Sequence, residues 1–280
     1  MVIDFHTHIF PPDVIRGRES YLDREAWFAE LYGRPEARMA TVEDLIEEMD
    51  RSGVDMAVAC GFAWNSLELC AYGNSYIADA AARFPERIIG FACVPPLRPG
   101  AAAELERCAS LGLKGVGELM PDGQGFDLDD TAGLAPLASA AAAHGLPLLV
   151  HLSEPVGHSY PGKGTTTPGK GYRFVRAFPE LKVVLAHWGG GLPFYELMPE
   201  VREAMANVYY DCAASPLLYD GGVFTVALRL LGPEKILFGS DFPLISPGRY
   251  RRELEGLELD GSAYDAIMGG NAARLLGVGR

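Results

Sequence analysis

Asp4, His6 and His8 occupy alternate positions of the opening segment MVIDFHTHIF, and the residues between and beside them (Val2, Ile3, Phe5, Ile9) are apolar. An apolar run closed by Pro11-Pro12 predicts a buried strand. Side chains at i, i+2 and i+4 of a strand share a face, so one face carries an acid and two imidazoles. Left unpaired in the interior, such groups cost roughly 1–3 kcal/mol each. A metal ion is the leading candidate to satisfy them. An H-x-H pair aims two ring nitrogens at one point, and an imidazole–zinc bond of about 2.0–2.1 Å is within reach of both. Asp4 lies deeper on the same face and reads as a supporting acid rather than a ligand.

Four more polar residues stand at the ends of short apolar runs: Glu118 in GVGEL, His151 in LLVH, His187 in VVLAH and Asp241 in LFGSD. If those runs are strands of one barrel, their ends converge on one mouth. Three or four nitrogen and oxygen donors meeting there suit Zn²⁺, with Mn²⁺ or Fe²⁺ as alternatives. Any one of these residues has an ordinary explanation, and for Glu118 an ion-paired or capping acid fits as well as a functional one. Four of the six histidines at predicted strand ends is a stronger pattern than any single one. His144, by contrast, is explained by its place at a helix end. Lys114 stands at the far end of its strand from Glu118, too far away to carry a bridging ligand.

The elements that must position these groups are legible as eight apolar runs: MVIDFHTHI, VDMAVACGF, RIIGFACVPP, LKGVGELMP, LPLLVHLSE, LKVVLAHWGG, NVYYDCAAS and KILFGSDFP. They are continuously hydrophobic rather than alternating, as parallel strands covered on both faces are. Helical patterns separate them. TVEDLIEEMDRSG opens with Thr41 and Asp44 in capping-box spacing and closes at Gly53. LAPLASAAAAHG closes at Gly145, and GAAAELERCASLG, AYGNSYIADAAARFP and YDAIMGGNAARLLG read similarly. Eight strands alternating with helices predict an α/β fold, a parallel eight-stranded (β/α)₈ TIM-type barrel with its site at the C-terminal mouth. A doubly wound sheet fits less well, because no glycine-rich phosphate loop follows any strand.

Two insertions fall on the mouth side, where active-site loops gather. One, residues 11–40, is polar and aromatic. The other, SEPVGHSYPGKGTTTPGKGY, follows the fifth strand and holds His158, Lys163 and Lys170 among several glycines, a composition that suits a mobile lid touching an anionic substrate group. A solvated basic loop is the alternative. Trp188 either lines the pocket or fills the core.

The chain has 280 residues, 49% of them apolar, and a formal charge of −13. That is enough to build one large core. The negative charge disfavours nucleic acid and anionic membranes as partners. No apolar run reaches membrane-spanning length, and the start lacks a basic-then-apolar signal layout. Five scattered cysteines, none in a C-x-x-C pair, read as reduced thiols of a cytoplasmic protein.

DFHTH, VHLSE, LAHWGGG, LFGSDFP and GGNAARLLG, taken together, resemble the amidohydrolase superfamily, and within it the amidohydrolase family 2 branch. The resemblance spans nearly the whole chain and implies one metal-dependent barrel domain over residues 1–280. It maps His6, His8, His151 and Asp241 onto the usual metal ligands. His187 then matches a strand-6 histidine that binds a second metal or polarises the substrate, and Glu118 matches the acid of two-metal relatives. The branch contains hydrolases and non-oxidative decarboxylases. The acid at Glu118 tips the expectation towards a hydrolase of a small amide, lactone or ester, with Asp241 and His187 as catalytic groups acting on a metal-activated water. Decarboxylation of an aromatic or unsaturated acid is the alternative. His158, Lys163 and Trp188 are the expected substrate contacts. The partner expected is a small molecule, with a homo-oligomer as a further option.

Overall fold

A computed structural model describes residues 1–257 and 259–279. Eight strands form one parallel sheet in chain order: β1 (Ile3–His8), β2 (Met56–Cys60), β3 (Ile88–Ala92), β4 (Gly115–Leu119), β5 (Leu148–Val150), β6 (Val183–Leu185), β7 (Val208–Asp211) and β8 (Ile236–Leu237). The sheet curls until its ends meet. Phe5 N donates to Phe238 O at 2.8 Å, and His8 N to Phe242 O at 2.7 Å. This is the (β/α)₈ barrel that the alternation of apolar runs and helical patterns predicts, and each of the eight runs contains one strand.

The barrel interior is filled by Ile3, Phe5, Val58, Ile89, Phe91, Leu149, Val184 and Leu237, all buried. A second layer, between strands and helices, buries the other face. Both faces of every strand are covered, which is why the strands read as unbroken apolar runs.

The helix Val42–Ser52 begins and ends where its caps predict. Thr41 and Asp44 form the reciprocal capping box, and Gly53 takes the left-handed conformation at φ 66°. The helix Thr131–Ala143 ends at His144, whose Nε2 lies 2.5 Å from Glu106. The last pattern, YDAIMGGNAARLLG, is not one helix. It breaks into Gly261–Asp265, Ala266–Gly270 and Asn271–Leu276. The start of the chain passes under the break, where a Cβ on Gly269 would meet Met1 O at 2.4 Å.

The insertion at 11–40 folds as three short helices, Pro12–Arg16, Glu19–Leu22 and Ala26–Tyr32. It is tied down by Glu25, whose carboxylate accepts the N–H groups of Asn65 and Ser66 at 3.1 and 3.2 Å. Its aromatic residues pack with those that follow β1 and β2. Phe28 stacks on Trp64 at 4.8 Å between ring centres and meets Phe62 edge-on at 5.2 Å, while Tyr32 lies 5.1 Å from Phe10. The composition of the insertion is therefore that of a cap with its own apolar cluster.

Candidate metal centre

The structure gathers the six predicted strand-end residues at the C-terminal mouth and divides them into two trios. His6, His8 and Asp241 form one, and Glu118, His151 and His187 the other. Within the first trio the Nε2 atoms of His6 and His8 are 3.1 Å apart, and Oδ1 of Asp241 is 3.8 and 3.4 Å from them. Glu118 stands between the trios. Its Oε2 is 3.5 Å from both His6 Nε2 and His8 Nε2. Its Oε1 is 3.0 Å from His151 Nδ1 and 3.3 Å from His187 Nε2. The four residues that the resemblance maps to one ion are thus split, with His151 on the far side of Glu118.

Local backbone features aim these side chains. His6 and His8 share a face of β1, as the alternation predicts. His187 and Asp241 lie beyond the last residues of β6 and β8, and both adopt left-handed backbone, at φ 56° and 63°. Non-glycine residues rarely hold that conformation unless surrounding structure imposes it, and such strain gathers at functional sites. Glu118 is preceded by Gly117 at φ 130°, where a Cβ would stand 2.2 Å from Leu149 O. Only glycine lets β4 approach β5 this closely, which brings Glu118 against His151.

One residue of the site was not found in the sequence. Asp211, fully buried at the end of β7, sets its Oδ2 2.8 Å from His6 Nδ1, and its Oδ1 accepts the N–H groups of His187 and Ala213. It fixes the proton of His6 on Nδ1 and leaves Nε2 free to ligate. The signal available was a lone acid ending the apolar run NVYYD. Asp4 supports the same strand. It accepts from the backbone N–H and the hydroxyl of Ser240 and so ties β1 to the residue before Asp241. Burial, only partly offset by those hydrogen bonds, pushes its carboxyl up to about 7.

The groups of the cluster shift one another's ionisation. Burial opposes ionising Glu118, yet the charge on His6 and the hydrogen bonds from His151 and His187 pull its carboxyl well below the usual range. Burial likewise opposes charge on Asp241, but His8, His6 and His187 draw it down to about 2. The imidazoles respond in kind. Burial disfavours their charged form, but Glu118 and Asp211 raise His6 well above its ordinary value, and Glu118 lifts His187 to about 9. A buried carboxylate, Glu118, and a partly buried one, Asp241, thus favour positive charge in a space lined by ring nitrogens. A cation meets that demand and displaces the protons. The geometry fits one as well. Four donors at tetrahedral corners, each about 2.0–2.2 Å from a metal, are about 3.3–3.6 Å apart, close to the separations found. The donor set and its spacing at the mouth of the barrel fit a divalent cation.

The expected substrate contacts are engaged elsewhere. Trp188 is buried, donates from Nε1 to Ser215 Oγ at 2.6 Å and packs edge-on against Phe224, so it fills the core behind His187. Lys163 donates to the carbonyls of Val156 and His158 within its own loop, and His158 is exposed. Lys170 pairs with Asp127, and Arg173 with Asp129. The loop itself is held. Asp122 accepts from the backbone and hydroxyl groups of both Thr165 and Thr166, and the last part of the predicted lid is the start of the helix Pro168–Ala177. The strands β1 and β2 instead run on into the aromatic cap, through Phe10 and through Phe62 and Trp64. In that cap, burial and then the Asp241 and Glu118 carboxylates raise the pKa of the Tyr32 phenol. A separate cleft of about 700 Å³ on this face, lined by Trp27, Asn65, Arg98 and Asp122, contains none of the ligand residues.

An eight-stranded parallel barrel with a histidine and carboxylate metal site at its C-terminal mouth defines a class of metal-dependent enzymes. The sequence model described as Amidohydrolase matches residues 3–278, and the chain belongs to that family. Among curated proteins it is similar to 2-amino-3-carboxymuconate-6-semialdehyde decarboxylase of Dictyostelium discoideum, 26% identical over 345 residues that cover 99% of this chain and 91% of the relative. It is also similar to gamma-resorcylate decarboxylase of a Polaromonas species, 24% identical over 298 residues, covering 87% and 90%. Among solved structures it matches 5-carboxyvanillate decarboxylase of Novosphingobium aromaticivorans, complexed with manganese and 4-hydroxy-3-methoxy-5-nitrobenzoic acid. The TM-score is 0.79 at 18% identity, covering 99% of this chain and 96% of that one.

These relatives correct the hydrolase expectation. The acid at Glu118 carried it, and Glu118 is in place, yet the relatives are decarboxylases. The physical reason is that such a donor set takes an oxygen of an amide, an ester or a carboxylic acid alike, so it does not specify which bond breaks. Among the described residues no helix is long and apolar enough to cross a membrane.

Proposed function

We propose that the chain is a metal-dependent, non-oxidative decarboxylase of a small aromatic or unsaturated carboxylic acid. The observation that carries the reading is an imidazole and carboxylate cluster at the mouth of a barrel whose β1 and β2 run on into an aromatic cap of Phe10, Phe28, Tyr32, Phe62 and Trp64. A flat, conjugated acid suits both: its oxygens meet the cation and its ring meets the aromatic wall. The two curated relatives support the same class of reaction.

His6, His8, Asp241 and one oxygen of Glu118 hold the ion, which is Zn²⁺ or Mn²⁺, since imidazole and carboxylate donors suit both. A bound divalent cation would supply a Lewis acid that holds a substrate oxygen and draws electron density from it. Asp241 presents Oδ1 to the two imidazoles, while its Oδ2 takes part in none of these contacts. That oxygen would carry a proton to the carbon that loses CO₂. Residues 1–280 act as one barrel domain, and five buried, unpaired thiols suit the reducing cytoplasm.

The test is a panel of aromatic and unsaturated acids incubated with the Mn²⁺-loaded protein. CO₂ release, with deuterium at the former carboxyl carbon when the reaction runs in D₂O, is the expected result. Turnover of amides or lactones with ¹⁸O from water in a new carboxylate, and no CO₂ from any acid, would overturn it.

A further inference from the structure

We propose that the cleft beside the cap binds a small aromatic carboxylate, at a site separate from the metal centre and from the reaction that runs there. The cleft measures about 700 Å³, and none of the six residues of the two trios lines it. That volume is typical of a small-molecule site. Its walls come from four parts of the chain: the cap around the helix Ala26–Tyr32, the turn before the helix Leu67–Arg83, the loop after β3 and the loop after β4.

The charged groups of these walls differ in what already engages them. Glu25 is buried, and its carboxylate accepts the N–H groups of Asn65 and Ser66. Asp122 accepts from Thr165 and Thr166. Both carboxylates are satisfied within the protein. The two arginines are not: among the described residues, neither Arg24 nor Arg98 has an ion-pair partner. Arg98 is nonetheless held in place. Its Nε donates to Asn65 O at 3.2 Å and its Nη2 to Asn65 Oδ1 at 2.9 Å, while Nη1 takes part in neither bond. Glu30 is the one remaining carboxylate of the walls, so unpaired guanidinium charge exceeds it. In a chain of formal charge −13, such a local excess favours an anion. A guanidinium already fixed presents its open N–H groups to a carboxylate with little further loss of side-chain freedom.

Trp27 supplies the aromatic wall. It is half-buried, its Nε1 is directed at Met120 Sδ, and its ring lies against Gly123, where a Cβ would stand 2.6 Å from Trp27 Cγ and Cδ1. The indole is therefore fixed where it lines the cleft, and Leu67 adds apolar surface to the same space. A fixed indole and a fixed guanidinium together select a flat ring that bears a negative group. Acetate has the charge without the ring, and phenol the ring without the charge.

The experiment titrates sodium benzoate, to millimolar concentrations, into the full-length Mn²⁺-loaded protein and follows tryptophan fluorescence. The expected result is saturable quenching that is absent from Trp27→Phe. Arg24→Gln and Arg98→Gln should each weaken that binding about 10-fold, the scale of one hydrogen bond to a charged group, and leave activity at the metal centre unchanged. Among the described residues the Arg24 guanidinium makes no hydrogen bond and only lies 5.9 Å over the Tyr21 ring, so Arg24→Gln keeps the fold even if Arg98→Gln loosens the turn at Asn65. Phenol, acetate and inorganic phosphate should each bind at least about 10-fold more weakly than benzoate. No saturable quenching, quenching that survives in Trp27→Phe, or benzoate affinity unchanged in Arg24→Gln overturns the site. Phenol, acetate or phosphate binding as tightly as benzoate overturns the class of ligand.

Discussion

Asp211 Oδ2 and His6 Nδ1 are 2.8 Å apart, although the residues are separated by 205 positions in the chain. The contact joins the end of β7 to β1 across the barrel interior. Because the same carboxylate also accepts the backbone N–H of His187, it sets one member of each ligand trio.

Replacing that carboxylate tests its role. Asp211→Asn cannot accept on both sides, so the tautomer of His6 is no longer enforced. Loss of such a partner typically lowers metal affinity about 10–100-fold. Competition with a chelating dye should show that loss in a protein of unchanged fold. An unaltered affinity would show that His6 needs no such support.

Asp241→Asn keeps a ligating oxygen and removes the proton carrier. Decarboxylation by this variant should fall by about 10²–10⁴-fold in kcat, the usual cost of losing a general acid or base, with KM nearly constant. Rapid-quench measurement of CO₂ release checks it. Activity within a factor of two of wild type would assign the proton to another group.

Tyr32 packs against Phe10 and Phe28, and the Asp241 and Glu118 carboxylates add to burial in raising its phenol. Tyr32→Phe preserves the packing and removes one hydroxyl. If that hydroxyl orients the substrate, KM for phenolic acids should rise about 2–10-fold, the worth of one neutral hydrogen bond, with melting temperature unchanged. Equal KM values in both proteins would confine Tyr32 to a packing role.

Asp122 anchors the loop after β5. Burial opposes its charge, but the hydrogen bonds from Thr165 and Thr166 prevail, and its carboxyl lies below its ordinary value of 3.8. A carboxylate lowered in the folded state stabilises the fold above its unfolded pKa, and that contribution fades as pH falls through the folded value. The loop should therefore resist proteolysis near pH 7 and lose this anchor only in acid, below about pH 4. Asp122→Ala should expose the loop to protease already at pH 7. Cleavage of the wild type and the variant at the same rate at pH 7 would count against the anchor.

Chelation offers a further check. Removing a ligand that binds only the folded state, present at about 100 times its Kd, lowers stability by about 2.7 kcal/mol. Melting temperature should drop on chelation and return when Mn²⁺ is restored. A melting curve indifferent to chelator would separate the centre from the stability of the barrel.

What the sequence by itself determined are the features with a local cause. Period-two alternation put His6 and His8 on one face of β1. Capping chemistry placed both ends of the helix at Val42–Ser52. Unbroken apolar runs marked eight strands covered on both sides, and short motifs named the family. Tertiary structure alone decided the features that depend on which strands meet. Gly117 lets β4 close on β5, and this wedges Glu118 between two trios and moves His151 away from His6 and His8. Closure of the barrel brings Asp211 to His6. Lys170 and Arg173 look free in the sequence, but Asp127 and Asp129 reach them from another loop. The aromatic residues of the insertion find their partners after β1 and β2. Hydrogen bonds and ion pairs act over about 3 Å, whereas Glu118 and His151 lie 33 positions apart in the chain and Asp211 and His6 lie 205 apart. The choice between hydrolysis and decarboxylation was legible in neither sequence nor tertiary structure, and the decarboxylase relatives corrected it. It turns on what stands around the metal, and the ligand spacing carries no record of that.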